Sequence, residues 1–337
     1  MKWRNSPQIA LAVVLCWIVF LAQGQEGLLR YEASREAMGG VFTVSAYGTD
    51  RSRLEAAVNE ALEEAARLDA MLSNYKPQSE WSQVNREAAQ RPVRVSKELF
   101  DLLEACLRYS QASEGTFDIT VGPLMRRWGF FRGQGRIPHR AEIRTAMDGV
   151  GYRHIQLDRT AQTVRFTHPR TEMDPGGVGK GYAVDNMARI LREAGIQSAF
   201  ITATGSSMYA IGAPPKEKGW RVTITHPKYK ERNVAEVYLK DQAMATSGSA
   251  EKHFMAGGEI YSHIMDPRNG YPAKGTLSVS LIGDKAIDTE VWAKPLYILG
   301  RGSRENAARH KPKGMRVLLC PEGPKGQRWE TTCEWLQ

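Results

Sequence analysis

The chain has 337 residues, of which 42% are hydrophobic and 25% charged, with a formal net charge of +9; that length can bury one large core or two smaller ones. The basic residues are dispersed, and no arginine-rich or aromatic nucleic-acid module is present, so nucleic acid is not expected as a partner and the excess charge reads as a solvated surface. The four cysteines form no C-x-x-C and no His/Cys cluster, which sets aside a zinc site.

Residues 1–24 read as an export signal. Lys2 and Arg4 make a basic start, Ile9 to Ala22 is apolar, and Ala22-Gln-Gly24 offers small residues for cleavage. The apolar run falls short of the ~20 residues that a membrane span needs, and Leu15 before Cys16 argues against lipid attachment. The expectation is therefore an exported protein, periplasmic or envelope-associated and not integral to the membrane, with a single domain over 25–337. Loss of Lys2 and Arg4, with no acids, lowers the net charge from +9 to +7. An oxidising compartment permits a Cys320–Cys333 bridge and leaves Cys106 as a buried thiol.

Val41 to Tyr47 alternates like a strand. Arg51 to Met71 is helical, with Leu54, Val58, Ala61, Leu62, Ala65, Leu68 and Leu72 on one stripe. Ser73 to Pro77 breaks that helix, and a polar loop with Ser79, Glu80 and Asn85 is expected next. Ser96 caps a second helix whose inner face is Leu99, Leu102, Leu103, Cys106 and Leu107. A turn at 115–118 leads into Ile119 to Leu124, and His154 to Phe166 reads as a hairpin. Beyond Tyr182 to Ala194, a helix, come strands at 198–203, 208–212, 220–225 and 234–239. Ala245-Thr-Ser-Gly248 reads as a small-residue turn, Leu277 to Ile282 as a strand, and Ile287 to Gly300 as a helix apart from Pro295. The mixture is not a regular βαβ alternation, which predicts an α+β fold with mixed sheets and flanking helices.

The chemistry centres on Met173-Asp-Pro-Gly-Gly-Val-Gly-Lys-Gly-Tyr-Ala-Val-Asp185. Four glycines within six residues, opening a helix, let the backbone approach a ligand, and the helix N-terminus favours an anion such as phosphate. The pattern is neither G-x-G-x-x-G nor a P-loop. His263, beside Asp266-Pro-Arg-Asn-Gly270, is the best candidate acid or base; a hydrogen-bonded structural histidine is the alternative. Asp288 and Glu290 open the last helix, where they either stabilise its N-terminus or offer carboxylates to Mg²⁺. Lys294 stands one turn after Glu290 and suits an i,i+4 ion pair. Tyr75, Phe117 and Trp128 are aromatic residues that either fill a core or cover a flat ring.

The order of these blocks resembles that of the FAD:protein FMN transferases, the ApbE-like family. Met38-Gly39, Ser73-Asn-Tyr75 with Ser79-Glu80 and Asn85, Phe117 to Leu124 with Trp128-Gly-Phe130, Asp174 to Asp185, Ala245 to Gly248, and His263 to Gly270 follow the family's sequence of motifs. The resemblance runs from about Met38 to Gly300. It implies an exported, Mg²⁺-dependent transferase that splits the FAD pyrophosphate, attaches FMN to a Thr or Ser of an exported acceptor protein and releases AMP. By motif, it implies FAD contacts at Met38, Tyr75, Thr116, Phe117, Asp118, Asp174, Lys180 and Ile264. His263 matches the family's functional histidine, and Gly177 lends the metal a carbonyl. The chain departs from the pattern at two places, the metal site and Ser206-Ser207. Glu290 stands where the family has a metal-binding Asp, with Asp288 as the alternative ligand, and Lys294 stands at the usual Thr ligand position. An ammonium cannot ligate Mg²⁺ and could occupy its place. Ser206-Ser207 replace a common Gly-Asp. Two further readings stay open: a non-catalytic FAD-binding protein in which Lys294 supplies the metal's charge, and a Mg²⁺-dependent FAD pyrophosphatase.

Overall fold

In the computed structural model, which describes residues 27–249, 252–300, 304–323 and 333–336, the alternating residues around Val41 form β2 (Gly40–Gly48), antiparallel to β1 (Leu29–Ala37). Six more strands extend the same sheet: β3 (Ser198–Ala203), β4 (Ser207–Ile211), β5 (Gln242–Gly248), β6 (Thr276–Gly283), β7 (Arg316–Pro321) and β8 (Glu334–Leu336). Strand order across the sheet follows chain order, and each neighbouring pair is antiparallel. The helices and small hairpins are excursions between strands, so the fold is α+β with flanking helices, as predicted. The proposed signal at 1–24 lies outside the described residues. Among those described, no helix is long and apolar enough to cross a membrane.

Side-chain alternation covers both faces of this sheet. On β4, Tyr209 and Ile211 join the large cluster under the helices, while Met208 and Ala210 pack with Ile224, Val237 and Leu239 of the Trp220–Thr225/Asn233–Leu239 hairpin. The helical layer starts with α1 (Arg51–Leu72), whose Asp50 cap accepts from Arg53 N at 3.0 Å. Its predicted stripe is buried throughout, each leucine contributing about 1.5–3 kcal/mol relative to exposure. Ser79 caps α2 (Glu80–Glu87), and Ser96 caps α3 (Lys97–Ala112). The polar loop expected around Ser79 and Asn85 is thus corrected to a helix: Ser79 Oγ accepts from Ser82 N, and Trp81 and Val84 anchor it in the core. Two short helices follow, α4 (Gly122–Arg127) and α5 (Arg140–Met147), then the predicted hairpin as Ile155–Asp158 against Thr163–Phe166.

Helix α6 (Gly179–Glu193) begins three residues before the expected start, inside the glycine run. A Cβ on Gly181 would lie 2.5 Å from the carbonyl of Ala286, so glycine there lets α6 touch the start of α7 (Ala286–Leu299). Asp185 on α6 accepts from the first two amides of α7, at 2.7 and 2.9 Å. Helix α7 runs through Pro295, which leaves the Val291 carbonyl without its usual partner. The other correction concerns Ala245 to Gly248, which is not a turn but the end of β5. Its Met244 pairs with Met208 on one side and Ile282 on the other. Cys320 and Cys333, whose pairing the sequence permits, form a disulfide between β7 and the segment leading into β8. Cys106 is a buried free thiol, its pKa pushed up to about 12 by burial.

Candidate active site

One end of the sheet carries two tight turns. Met38 and Gly39, both with positive φ, join β1 to β2, and Thr204, Gly205 and Ser206 join β3 to β4. Met38 is held in a conformation that costs an L-residue roughly 1–2 kcal/mol, and its Sδ would lie 3.7 Å from a Cβ on Gly179. Beside these turns stands the glycine loop. Asp174 Oδ1 accepts from Gly176 N at 2.6 Å, and Asp174 N donates to Ile119 O at 2.7 Å. The block at 73–85 fixes the residue before it. Met173 N donates to Asn85 Oδ1, while Met173 O accepts from Asn85 Nδ2, Trp81 Nε1 and, at 3.3 Å, Asn74 Nδ2.

A cleft of about 420 Å³ opens between these elements, with Met38, Tyr75, Asp174, Lys180, Lys252 and His263 on its walls. A pocket of about 80 Å³ adjoins it, lined by Thr116, Phe117, Asp118, Gly177, Ile264 and Lys294, among others. The two share Met125, Asp174, Gly176 and His263, so they are compartments of one site. Every residue expected to contact FAD lines one or the other. Asp118 does so while its carboxylate serves the fold, accepting from Thr120 N and Oγ1 and from Tyr152 N.

Three lysines, Lys180, Lys252 and Lys294, and three aspartates, Asp69, Asp118 and Asp174, line the site. Lys180 donates to Ser206 Oγ and reaches Thr204 Oγ1 at 3.4 Å, which gives Ser206 a role at the position where the family pattern is broken. His263 Nδ1 sits 3.0 Å from Lys252 O. A carbonyl only accepts, so Nδ1 carries the proton and Nε2 is the basic nitrogen. Burial, assisted by Lys294, Lys252 and Lys180, depresses the His263 pKa to about 4, so the ring is neutral near pH 7. Burial raises Asp174 to about 6. Tyr75 is 69% exposed and stands edge-on to Phe131, with ring centroids 6.1 Å apart.

The expected metal ligands behave differently. Asp288 is bonded by Tyr109 Oη, and the Tyr109 ring packs edge-on against Phe117. Asp288 lines neither compartment. Glu290 is buried, its Oε2 accepting from Gly181 N. Its Oε1 has Lys294 Nζ at 3.6 Å, and the same ammonium donates to Glu290 O at 2.9 Å. Among the described residues no three His, Cys, Asp or Glu converge as a metal site. A lone carboxylate already compensated by an ammonium does not fit Mg²⁺, which wants oxygen ligands in octahedral array.

Sequence reasoning missed Lys252, Met125 and Phe131 on the cleft wall. No local signal marks them. Lys252 enters because the His253–Ala256/Glu259–Ser262 hairpin returns the chain to His263, placing both ends of that hairpin at the site.

Comparison with known proteins shows the family and the fold. The ApbE family model matches residues 38–319. The FAD:protein FMN transferase of Salmonella typhimurium is 31% identical over 301 residues, covering 87% of this chain and 85% of that protein. The Escherichia coli K12 protein of the same name is 30% identical over 304 residues, with the same coverage. The crystal structure of the ApbE protein from Thermotoga maritima superposes with a TM-score of 0.83 at 27% identity, covering 91% of this chain and 96% of that one. Pseudomonas stutzeri flavinyl transferase ApbE, in its apo form, gives 0.78 at 25% identity, covering 88% and 93%. The chain belongs to the ApbE family.

Proposed function

We propose that this chain is an FAD:protein FMN transferase: it cleaves the FAD pyrophosphate, attaches FMN through a phosphodiester to a Thr or Ser of an acceptor protein, and releases AMP. The observation that carries this reading is the convergence of residues from separate sequence blocks on a two-compartment cleft lined by three lysines and a neutral histidine. Tyr75 and Phe131 offer aromatic faces to a flat ring system. Lys180, the start of α6 and the glycine loop suit a pyrophosphate.

In the reaction, the acceptor hydroxyl oxygen forms a bond to the FMN-side phosphorus and the bond from that phosphorus to the AMP oxygen breaks. His263 Nε2, with Nδ1–H held on Lys252 O, takes the hydroxyl proton. AMP leaves with the bond's electron pair, its charge met by the cleft lysines. The family's Mg²⁺ would add Lewis-acid stabilisation, but the donor set at Glu290 does not fit it, and no step here depends on it. Export to the periplasm or envelope is part of the proposal; the Cys320–Cys333 disulfide supports an oxidising compartment, where an exported acceptor would be met.

The test is to incubate the protein with FAD, with and without a Thr-bearing acceptor, and to follow AMP. Acceptor-dependent AMP matched by covalent flavin supports the transferase. AMP and free FMN without an acceptor would identify a pyrophosphatase, and FAD binding with neither product would identify a non-catalytic flavin carrier.

A further inference from the structure

We propose that Lys294 is the resident cation of the flavin-nucleotide site: its ammonium stands in for a divalent metal, so that the pyrophosphate of FAD is bound without one. This rests on the reading of the cleft as an FAD site.

Lys294 projects from α7 into the smaller compartment, its side chain 18% exposed. A Cβ on Gly177 would lie 3.9 Å from Lys294 Cε and 3.1 Å from the Phe117 ring, so the lysine stem runs past the glycine loop at close range. Its head is fixed by the Glu290 carbonyl at 2.9 Å and lies 3.6 Å from Glu290 Oε1. The carboxylate is 2% exposed, and its other oxygen is committed to Gly181 N. Charge at this point is therefore supplied by the chain. A divalent ion brought to Oε1 would meet an ammonium already held there, and the like charges would repel in a partly buried setting.

Charge accounting across the cleft agrees. Lys294 and Glu290 compensate one another and Asp69 is paired with Lys76, which leaves Lys180 and Lys252 facing the larger compartment with the Asp174 carboxylate. Lys180 donates to the hydroxyls of Thr204 and Ser206. Lys180 and Lys252 bring two positive charges to a pyrophosphate, against the one carboxylate of Asp174, and Lys294 stands at the inner end. All three lysines line compartments that share His263. An ammonium offers point charge and donors without the octahedral demands of Mg²⁺.

The test is flavin-fluorescence titration of the whole protein with FAD, in EDTA and in millimolar Mg²⁺, with riboflavin as a ligand that lacks phosphate. Wild-type protein is expected to bind FAD equally, within about twofold, in both buffers. Lys294→Gln is expected to weaken FAD about tenfold or more, as loss of a charge-assisted contact does, while riboflavin affinity holds. That variant leaves Glu290 buried without its counter-charge. The double variant Lys294→Gln/Glu290→Gln removes both charges, keeps the fold free of that cost, and is expected to show the same selective loss. The inference is overturned if EDTA weakens wild-type FAD binding and Mg²⁺ restores it, or if the double variant binds FAD as wild type does. Failure of wild-type protein to bind FAD in either buffer would instead overturn the assignment of the cleft to FAD, and this inference with it.

Discussion

Asn85 grips Met173 from both sides: its Oδ1 accepts from Met173 N at 2.8 Å and its Nδ2 donates to Met173 O at 2.9 Å. A side-chain amide thus pairs with one backbone residue as a neighbouring strand would, and the pairing itself fixes which way the amide faces. Asp174 is the next residue, so helix α2 sets the position of the glycine loop through this contact. Replacing Asn85 with Ala removes both bonds; Met173 O keeps Trp81 Nε1 and Asn74 Nδ2, while Met173 N loses its acceptor. The expected cost is about 1–3 kcal/mol in urea unfolding, with weaker FAD binding. Asn85→Asp keeps an acceptor for Met173 N but sets a carboxylate against Met173 O. It should bind FAD no better than the Ala variant; wild-type affinity in either would remove the loop-positioning role.

His263 has its Nδ1 occupied by Lys252 O and its pKa depressed to about 4. The ring is protonated, and useless as a base, only below that value. Transfer rate should therefore rise with pH through about 4 and show no His263 inflection near the ordinary 6.5. His263→Gln should lower the rate by roughly 10²–10⁴-fold with FAD affinity little changed. Stopped turnover assays across pH, beside a binding titration, read both quantities. A titration centred near 6.5 that vanishes in His263→Gln would contradict the depressed pKa.

Gly181 lets helix touch helix. A Cβ there would stand 2.5 Å from Ala286 O and 2.8 Å from Ile287 Cα, so Gly181→Ala must push α6 from α7 and disturb the bond from Gly181 N to Glu290. Destabilisation of about 1–3 kcal/mol or more is expected. Gly257 is the contrast: φ is +57°, with open space around it, so Gly257→Ala should cost only about 1 kcal/mol, from its backbone alone. Equal losses in urea melts would mean that the α6–α7 contact yields easily.

The Cys320–Cys333 bridge closes a short loop, with a sequence separation of 13. The chain-entropy argument gives about 3 kcal/mol for a loop of this size. Reductant should therefore lower the melting temperature of the wild type and leave a Cys320→Ser/Cys333→Ser variant unmoved. Cys106, buried and with a raised pKa, should stay unreactive to thiol reagents until unfolding. Rapid labelling of native protein at Cys106 would contradict its burial.

The periodic elements were legible because burial and periodicity coincide, as on α1, where the Leu54-to-Leu72 stripe is the buried face. Misreadings occurred where composition and tertiary partners disagree. Ala245-Thr-Ser-Gly248 has the residues of a turn, yet Met208 and Ile282 on either side of Met244 make it a strand. Ser79, Glu80 and Asn85 are polar, but Trp81 and Val84 anchor their helix. At the site, Asp174, Lys180 and His263 were marked by the glycine loop and by the order of motifs. Lys252 was not, because only a hairpin far along the chain from Met38 brings it to the same cleft. The pairing of Lys294 with Glu290 was suggested by i,i+4 spacing; that it faces Gly177 and Phe117 needed three dimensions.

The central claim is that the cleft hands the FMN half of FAD to a hydroxyl. Its most direct measurement is mass spectrometry of a Thr-bearing acceptor protein after incubation with this protein and FAD, with AMP quantified in the same reaction. The account predicts an acceptor heavier by one FMN less one water, linked at the Thr side-chain oxygen, with one AMP per acceptor modified, and loss of both in His263→Gln. An unmodified acceptor beside undiminished FAD, across acceptors with Thr and with Ser at the site, would contradict it.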